Sequence, residues 1–299
     1  MVRVRGFRWS DLDGVLAAHN SAAGAGAATR AGLEAELRRG PGRAERSVWV
    51  VAEGERIEGY GRLRPWHSPG WLQVEVVVRP ERRRQGLGSA LLQRLERAAI
   101  RRGSVALGAV VRDDDREASE FVRRRGFEPF VARQHLRLRP VVLPVARPVP
   151  GYRLRQAEVE ECAGLAALTN AAYGANGRVG GADAEGYRRY LEESGARVWV
   201  AESGAGELAG LCEVYGRDVE VDGAVVRSGH IASLAVHPGR RGQGLGRWLL
   251  SAGIGTCREA GWPTVELNVD RDNAPALGLY ESVGFRAVYA YVVYRRGLA

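Results

Sequence analysis

At 299 residues the chain is long enough for about two domains, each burying its own core, and no apolar run in it is long enough to cross a membrane. All of its basic residues are arginine and none is lysine, which excludes a Schiff-base mechanism and a P-loop. The net charge of +9 is uneven: residues 1–150 hold 28 Arg against 17 acids (+11), and residues 151–299 hold 16 against 18 (−2).

The first residues, Met1-Val-Arg-Val-Arg-Gly-Phe-Arg-Trp, lack the apolar core of a signal peptide. Val48-Trp-Val-Val-Ala reads as a strand. Further on, Val76-Val-Val runs into Arg79-Pro-Glu-Arg-Arg-Arg-Gln-Gly-Leu-Gly88 and then into Ser-Ala-Leu-Leu92. A strand that enters a Gly-rich loop and opens directly into a helix presents a row of backbone N–H groups, a place to hold a phosphate. The arginines of this half are dispersed and interleaved with acids, as in Asp113-Asp-Asp-Arg-Glu117. No nucleic-acid motif accompanies them, so they are expected to be solvated surface, with neither nucleic acid nor a membrane as partner.

Residues 140–150 hold four prolines and read as an extended linker. Beyond it a strand is expected at 152–155 and a helix carrying Ala163, Ala166, Ala167 and Asn170 at helical spacing. A second helical stretch covers 187–191. Strands are expected at 198–202, 208–215 and 230–236, with a hairpin turn at Asp222-Gly223. A Gly loop then leads into a helix with Leu245, Trp248, Leu249 and Ala252 on one face. A strand at 264–269, a helix at 273–283 and a strand at 285–294 complete the chain. Cys162, Cys212 and Cys257 are odd in number and lack metal or redox spacing, as expected of small buried hydrophobes in a reducing cytoplasm.

The two halves repeat. Pro80, Gly86, Gly88, Gly126 and Phe127 match Pro238, Gly244, Gly246, Gly284 and Phe285 at a constant offset of 158. A constant offset over such a span indicates duplication. The expected organisation is a first domain at 1–139, the linker at 140–150 and a second domain at 151–299.

The loop pattern is Arg-x-x-Gly-x-Gly, Arg83 to Gly88 and Arg241 to Gly246, after Val-x-Pro and before Leu-Leu. It resembles the acetyl-CoA loop of the GNAT (GCN5-related) N-acetyltransferases. The segment Asn268-Val-Asp-Arg-Asp-Asn273-Ala-Pro-Ala-Leu-Gly-Leu-Tyr280-Glu-Ser-Val-Gly-Phe285 resembles the second signature of that family. The resemblance implies an α/β fold of two tandem GNAT domains, each a central mixed, mostly antiparallel sheet flanked by helices. It implies acetyl-CoA as cosubstrate and no metal.

On the same grounds, Leu234, Ala235 and Val236 would pair with the pantetheine arm, and one amide of this strand would face the oxyanion. The loop Arg241, Gly242, Gln243, Gly244, Leu245, Gly246 and Arg247 would hold the pyrophosphate. Asn268 and Asn273 would hold the cofactor arm, the alternative for Asn273 being a plain helix cap. Tyr280 stands where the family has its general acid, the alternative being an ordinary core tyrosine. Many relatives carry a Glu on the strand before the loop, where this chain has His230-Ile-Ala-Ser-Leu-Ala-Val. His230 is the first candidate for the base, on side-chain parity and titration range, its alternative being a structural histidine. Glu213 is the second and Glu266 the third. In the first half Val122 replaces the tyrosine and Asp115 the asparagine. That loop could still take a CoA-like ligand, but one working site, in the second half, is expected.

The leading expectation is therefore an N-acetyltransferase acting on a primary amine of a small molecule by direct attack, as a monomer or homodimer. The alternatives are a protein N-terminal acetyltransferase and a non-catalytic acetyl-CoA-binding regulator or RNA-docking protein. A binding module would show affinity without turnover, and an RNA-docking one a steep salt dependence.

Overall fold

The computed structural model describes residues 2–22, 28–38, 44–66, 70–143, 146–174, 183–222 and 224–298. The first half runs β1 (Val2–Gly6), α1 (Leu12–Ala22), α2 (Arg30–Arg38), α3 (Ala44–Ser47), β2 (Val48–Glu53), β3 (Arg56–Pro65), β4 (Trp71–Val78), α4 (Leu87–Ile100), β5 (Ala106–Arg112), α5 (Arg116–Arg123) and β6 (Glu128–Leu138). The second runs β7 (Tyr152–Gln156), α6 (Cys162–Tyr173), α7 (Ala184–Ser194), β8 (Arg197–Ser203), β9 (Leu208–Val221), β10 (Ala224–Val236), α8 (Leu245–Glu259), β11 (Val265–Asp270), α9 (Ala274–Val283) and β12 (Arg286–Gly297). The element order matches in the two halves from the first strand to the last, apart from the short α3. The turn expected at Asp222-Gly223 has Asp222 at φ +53°, while Gly223 lies outside the described residues.

The compact units do not follow the chain's halves. Unit 1 is built mainly from Met1–Val131 together with Val292–Ala299, and unit 2 from Ala132–Val221 and Val225–Tyr291. The cause is an exchange of last strands: β12 lies beside β5, and β6 lies beside β11. In unit 1 the order is β1-β2-β3-β4-β5, completed by β12; in unit 2 it is β7-β8-β9-β10-β11, completed by β6. β1–β2, β2–β3, β3–β4, β6–β11, β7–β8 and β8–β9 pair antiparallel, and β4–β5 and β10–β11 pair parallel.

Each sheet is covered on both faces. In unit 2, Leu249, Leu250, Ile254 and Cys257 of α8 pack on Cys212, Val214 and Ile231. On the opposite face Leu165 and Leu168 of α6 and Tyr187 of α7 pack on Val200, Leu211 and Ala235. All three cysteines are buried and free. Among the described residues no helix is long and apolar enough to cross a membrane.

Candidate active site

β10 pairs with β11 only at Gly229↔Val265, His230↔Glu266 and Ile231↔Leu267. Both strands continue, β10 to Val236 and β11 to Asp270, so they splay. A cavity of about 550 Å³ opens in the widening gap. Leu234, Ala235 and Val236 form one wall; Asp270, Asp272, Asn273, Pro275, Ala276, Leu279 and Tyr280 form the other. Arg240, Arg241, Gly242, Gly244, Leu245 and Gly246 lie at the loop end, and Ala172 and Tyr173 of α6 border it. All of these residues belong to unit 2.

The loop end is shaped for an anion. Gly242 and Gly244 take φ of +79° and +90°, a region that a side chain disfavours. Gly244 caps α8 without any side-chain acceptor, which leaves the first-turn N–H groups to a ligand. A Cβ added at Gly242 would meet nothing within 4 Å. The side chain of Arg241 is turned inward: its Nε donates to Val236 O (3.3 Å) and its Nη2 to Ala172 O (3.0 Å). Two loop residues expected at the site are not among the cavity's lining. Gln243 accepts a hydrogen bond from the Tyr152 hydroxyl (3.1 Å), and Arg247 donates to Ser282 Oγ (2.5 Å).

Tyr280 lies on the cavity wall, 7% exposed and edge-on to Phe285 at 5.8 Å. Burial, with Tyr173 and Cys212 nearby, pushes its phenol well above the ordinary range, so it carries its proton at neutral pH. The hydroxyl of Tyr173 reaches the main chain of β10, 3.0 Å from Leu234 O and 3.2 Å from Leu234 N. Asn273 caps α9, its Oδ1 accepting from Ala276 N (3.2 Å), while it also lines the cavity.

The parity expected for His230 needs correction. Ile231 packs in the α8-side core, and so do Leu234 and Val236. Residues three apart cannot share a face in a regular strand, so the alternation slips by one between Ile231 and Leu234, as a β-bulge produces. His230 therefore shares the α6–α7 face with Tyr215, its ring neighbour at 5.2 Å, and not the face of Leu234. Glu213 is on that face too. It is buried and accepts hydrogen bonds from the Tyr187 and Tyr190 hydroxyls of α7. Burial raises its carboxyl to about 7, and the two phenols only partly offset that. Neither His230 nor Glu213 is among the cavity-lining residues.

Glu266 is placed elsewhere. It is buried against Arg137 (2.7 Å), Arg217 (2.8 Å) and His135 (3.3 Å). Burial alone would raise its carboxyl, but His135 and Arg217 hold it down at about 2, so it is a poor proton acceptor. Asn268 is exposed on β11, its Oδ1 3.1 Å from His135 Nδ1, and lies off the cavity lining.

Unit 1 repeats the frame without the same groups. Its loop keeps the backbone conformation, with Arg84 at φ +60° in the place of Gly242 and Gly86 at +81°. Glu117 stands across that loop, 3.4 Å from Arg83. Asp115 caps α5 as Asn273 caps α9. Glu75 is tied to Arg62 (2.8 Å), Arg64 (3.4 Å) and the Tyr60 hydroxyl (2.6 Å). Burial raises it, but the two arginines hold it at about 2.

Both halves of the chain match known protein families. The "Acetyltransferase (GNAT) family" matches residues 165–285, and an "Acetyltransferase (GNAT) domain" matches residues 44–129. The chain belongs to the GNAT acetyltransferase family. A relative named mycothiol acetyltransferase, from Thermobispora bispora, is 33% identical over 257 residues, 83% of this chain and 82% of its own length. A GCN5-related N-acetyltransferase structure from Sphaerobacter thermophilus has a TM-score of 0.75 at 21% identity, covering 99% of this chain and 96% of that one. A tandem GNAT protein from the clavulanic acid biosynthesis pathway has 0.71 at 22%, covering 100% and 99%. This GNAT protein is thus an acyltransferase with acetyl-CoA as cosubstrate. The cavity has the glycine loop and the start of α8 at one end and the main chain of β10 along one wall. Sequence reasoning missed Tyr173 and Asp272 on its border. Asp272 stands inside the segment already singled out, whereas Tyr173 ends a helix of plain composition.

Proposed function

We propose that unit 2 transfers the acetyl group of acetyl-CoA to the primary amine of a small molecule by direct attack. The observation that carries this reading is the cavity in the β10–β11 splay, with the glycine loop at its mouth and Tyr280 on its wall. Acetyl-CoA supplies an activated thioester. The residues to hold it are Arg241, Gly242, Gly244 and Gly246 at the phosphate end, with Leu234, Ala235 and Val236 along the arm. The Leu234 N–H is the donor in line for the oxygen that gains charge. Tyr280 Oη holds the proton for the departing sulfur; a phenol and a thiol are close enough in ordinary pKa for that transfer.

Glu213 is the better supported base. A carboxyl raised to about 7 can take a proton from an ammonium near neutral pH, directly or through water. His230, on the same face, is the second candidate. In this reading unit 1 is a scaffold: Val122 offers no proton, and Glu75 is already neutralised by arginine.

The curated relatives make the amine precursor of mycothiol the first acceptor to try. The test is release of CoA thiol from acetyl-CoA with that precursor, generic small amines and N-terminal peptides. Transfer to a small amine is expected. Transfer to peptides alone would overturn the acceptor class, and binding without transfer would leave a regulator.

A further inference from the structure

The inference rests on that reading of unit 2. Where β10 leaves β11, its main-chain N–H and C=O groups lose a neighbouring strand, and buried groups of that kind demand partners. At Leu234 one side chain supplies both. The Tyr173 hydroxyl accepts from Leu234 N (3.2 Å), donates to Leu234 O (3.0 Å) and lies 3.1 Å from Ser233 Oγ. Tyr173 is the last residue of α6, and the residue before it is pinned as well. Arg241, from the anion loop, donates to the Ala172 carbonyl at 3.0 Å.

We propose that the C-terminal end of α6 plugs the cosubstrate slot, Tyr173 holding the Leu234 groups that the acetyl-bearing arm needs and Arg241 holding Ala172 until a pyrophosphate draws it away. The two pins sit at the two ends of the same ligand. A guanidinium bonds a phosphate more strongly than a neutral carbonyl, so occupation of the loop loosens the helix end. The arm then competes with a tyrosine freed on one side. Burial, only partly offset by Ser233, pushes the Tyr173 phenol up to about 12, so it stays a neutral donor and acceptor throughout the working pH range.

The experiment is calorimetric titration of the full chain and its Tyr173→Phe variant with acetyl-CoA and with 3′-phospho-ADP, which carries the phosphates but no arm. The variant is expected to bind acetyl-CoA about tenfold more tightly, the worth of one or two ordinary hydrogen bonds, and to bind 3′-phospho-ADP as the parent does. Ser233→Ala, which loosens the same hydroxyl without touching the ring, is expected to shift acetyl-CoA affinity the same way by about twofold. Unchanged or weaker acetyl-CoA binding by a folded Tyr173→Phe variant would overturn the plug while leaving the site. If the parent binds neither ligand, the site reading falls and the plug with it.

Discussion

In the proposed reaction Tyr280 of α9 and Glu213 of β9 meet opposite protonation demands. Tyr280 is buried and keeps its proton, while Glu213 is poised to change state near neutrality. Tyr280→Phe should therefore lower kcat by at least about a hundredfold, with acetyl-CoA affinity in calorimetry nearly unchanged. For Glu213 the sign follows from its proposed role as base. A base must be deprotonated, so kcat/KM should rise about tenfold per pH unit up to about pH 7 and level off above it. Glu213→Gln should lose that limb together with most of the rate. A limb surviving in the variant would transfer the role to another group, His230 first. Tyr280 was legible because its signature is contiguous, Asn273 through Phe285. The environment of Glu213 was not, because Tyr187 and Tyr190 lie on a helix more than twenty residues earlier, and nothing in their spacing announces a carboxylate partner.

At the scale of elements, β6 is clamped to β11 by charge. Arg133 meets Asp270 at 2.7 Å, and Arg137 meets Glu266 at 2.7 Å. Glu266 in the folded state sits near 2, below the ordinary range of about 4.5, so its contribution is present above that range and lost as pH falls toward 2. Glu266→Gln should cost about 2–4 kcal/mol at pH 7, and the deficit in thermal midpoint should shrink below about pH 4.5. A deficit independent of pH would mean packing and not charge. The elements themselves were largely readable from periodicity and turn residues. The slip between Ile231 and Leu234 was not, since Ala232 and Ser233 are small and mark neither face. That slip is why parity alone misplaced His230.

For the whole molecule the sequence repeat revealed two copies but not how they are completed. Strand β12 reads as the last element of the second half, yet Tyr294, 2% exposed, packs with Leu91, Leu95, Leu107 and Phe127 of unit 1. Hydrophobic alternation tells a strand which face to bury, not which neighbour to pair with. Tyr294→Ala should cost about 3–5 kcal/mol. In hydrogen exchange the loss should appear first in α4 and β5, while unit 2 retains acetyl-CoA binding. Earlier loss of protection in β10 and β11 would contradict the exchange.

The exchanged strands also bear on the history of the chain. A copy with Val122 at the tyrosine position and Glu75 bound to two arginines would, under the proposed division of labour, be free to decay. Here it donates Ala132–Leu138 to the unit that keeps the tyrosine and takes Val292–Gly297 in return. A cut in the proline-rich segment should leave two fragments still held together, each finishing the other's sheet, and either fragment alone should lack its last strand partner. With the strands traded, neither copy can be discarded without leaving the other's sheet short of a strand.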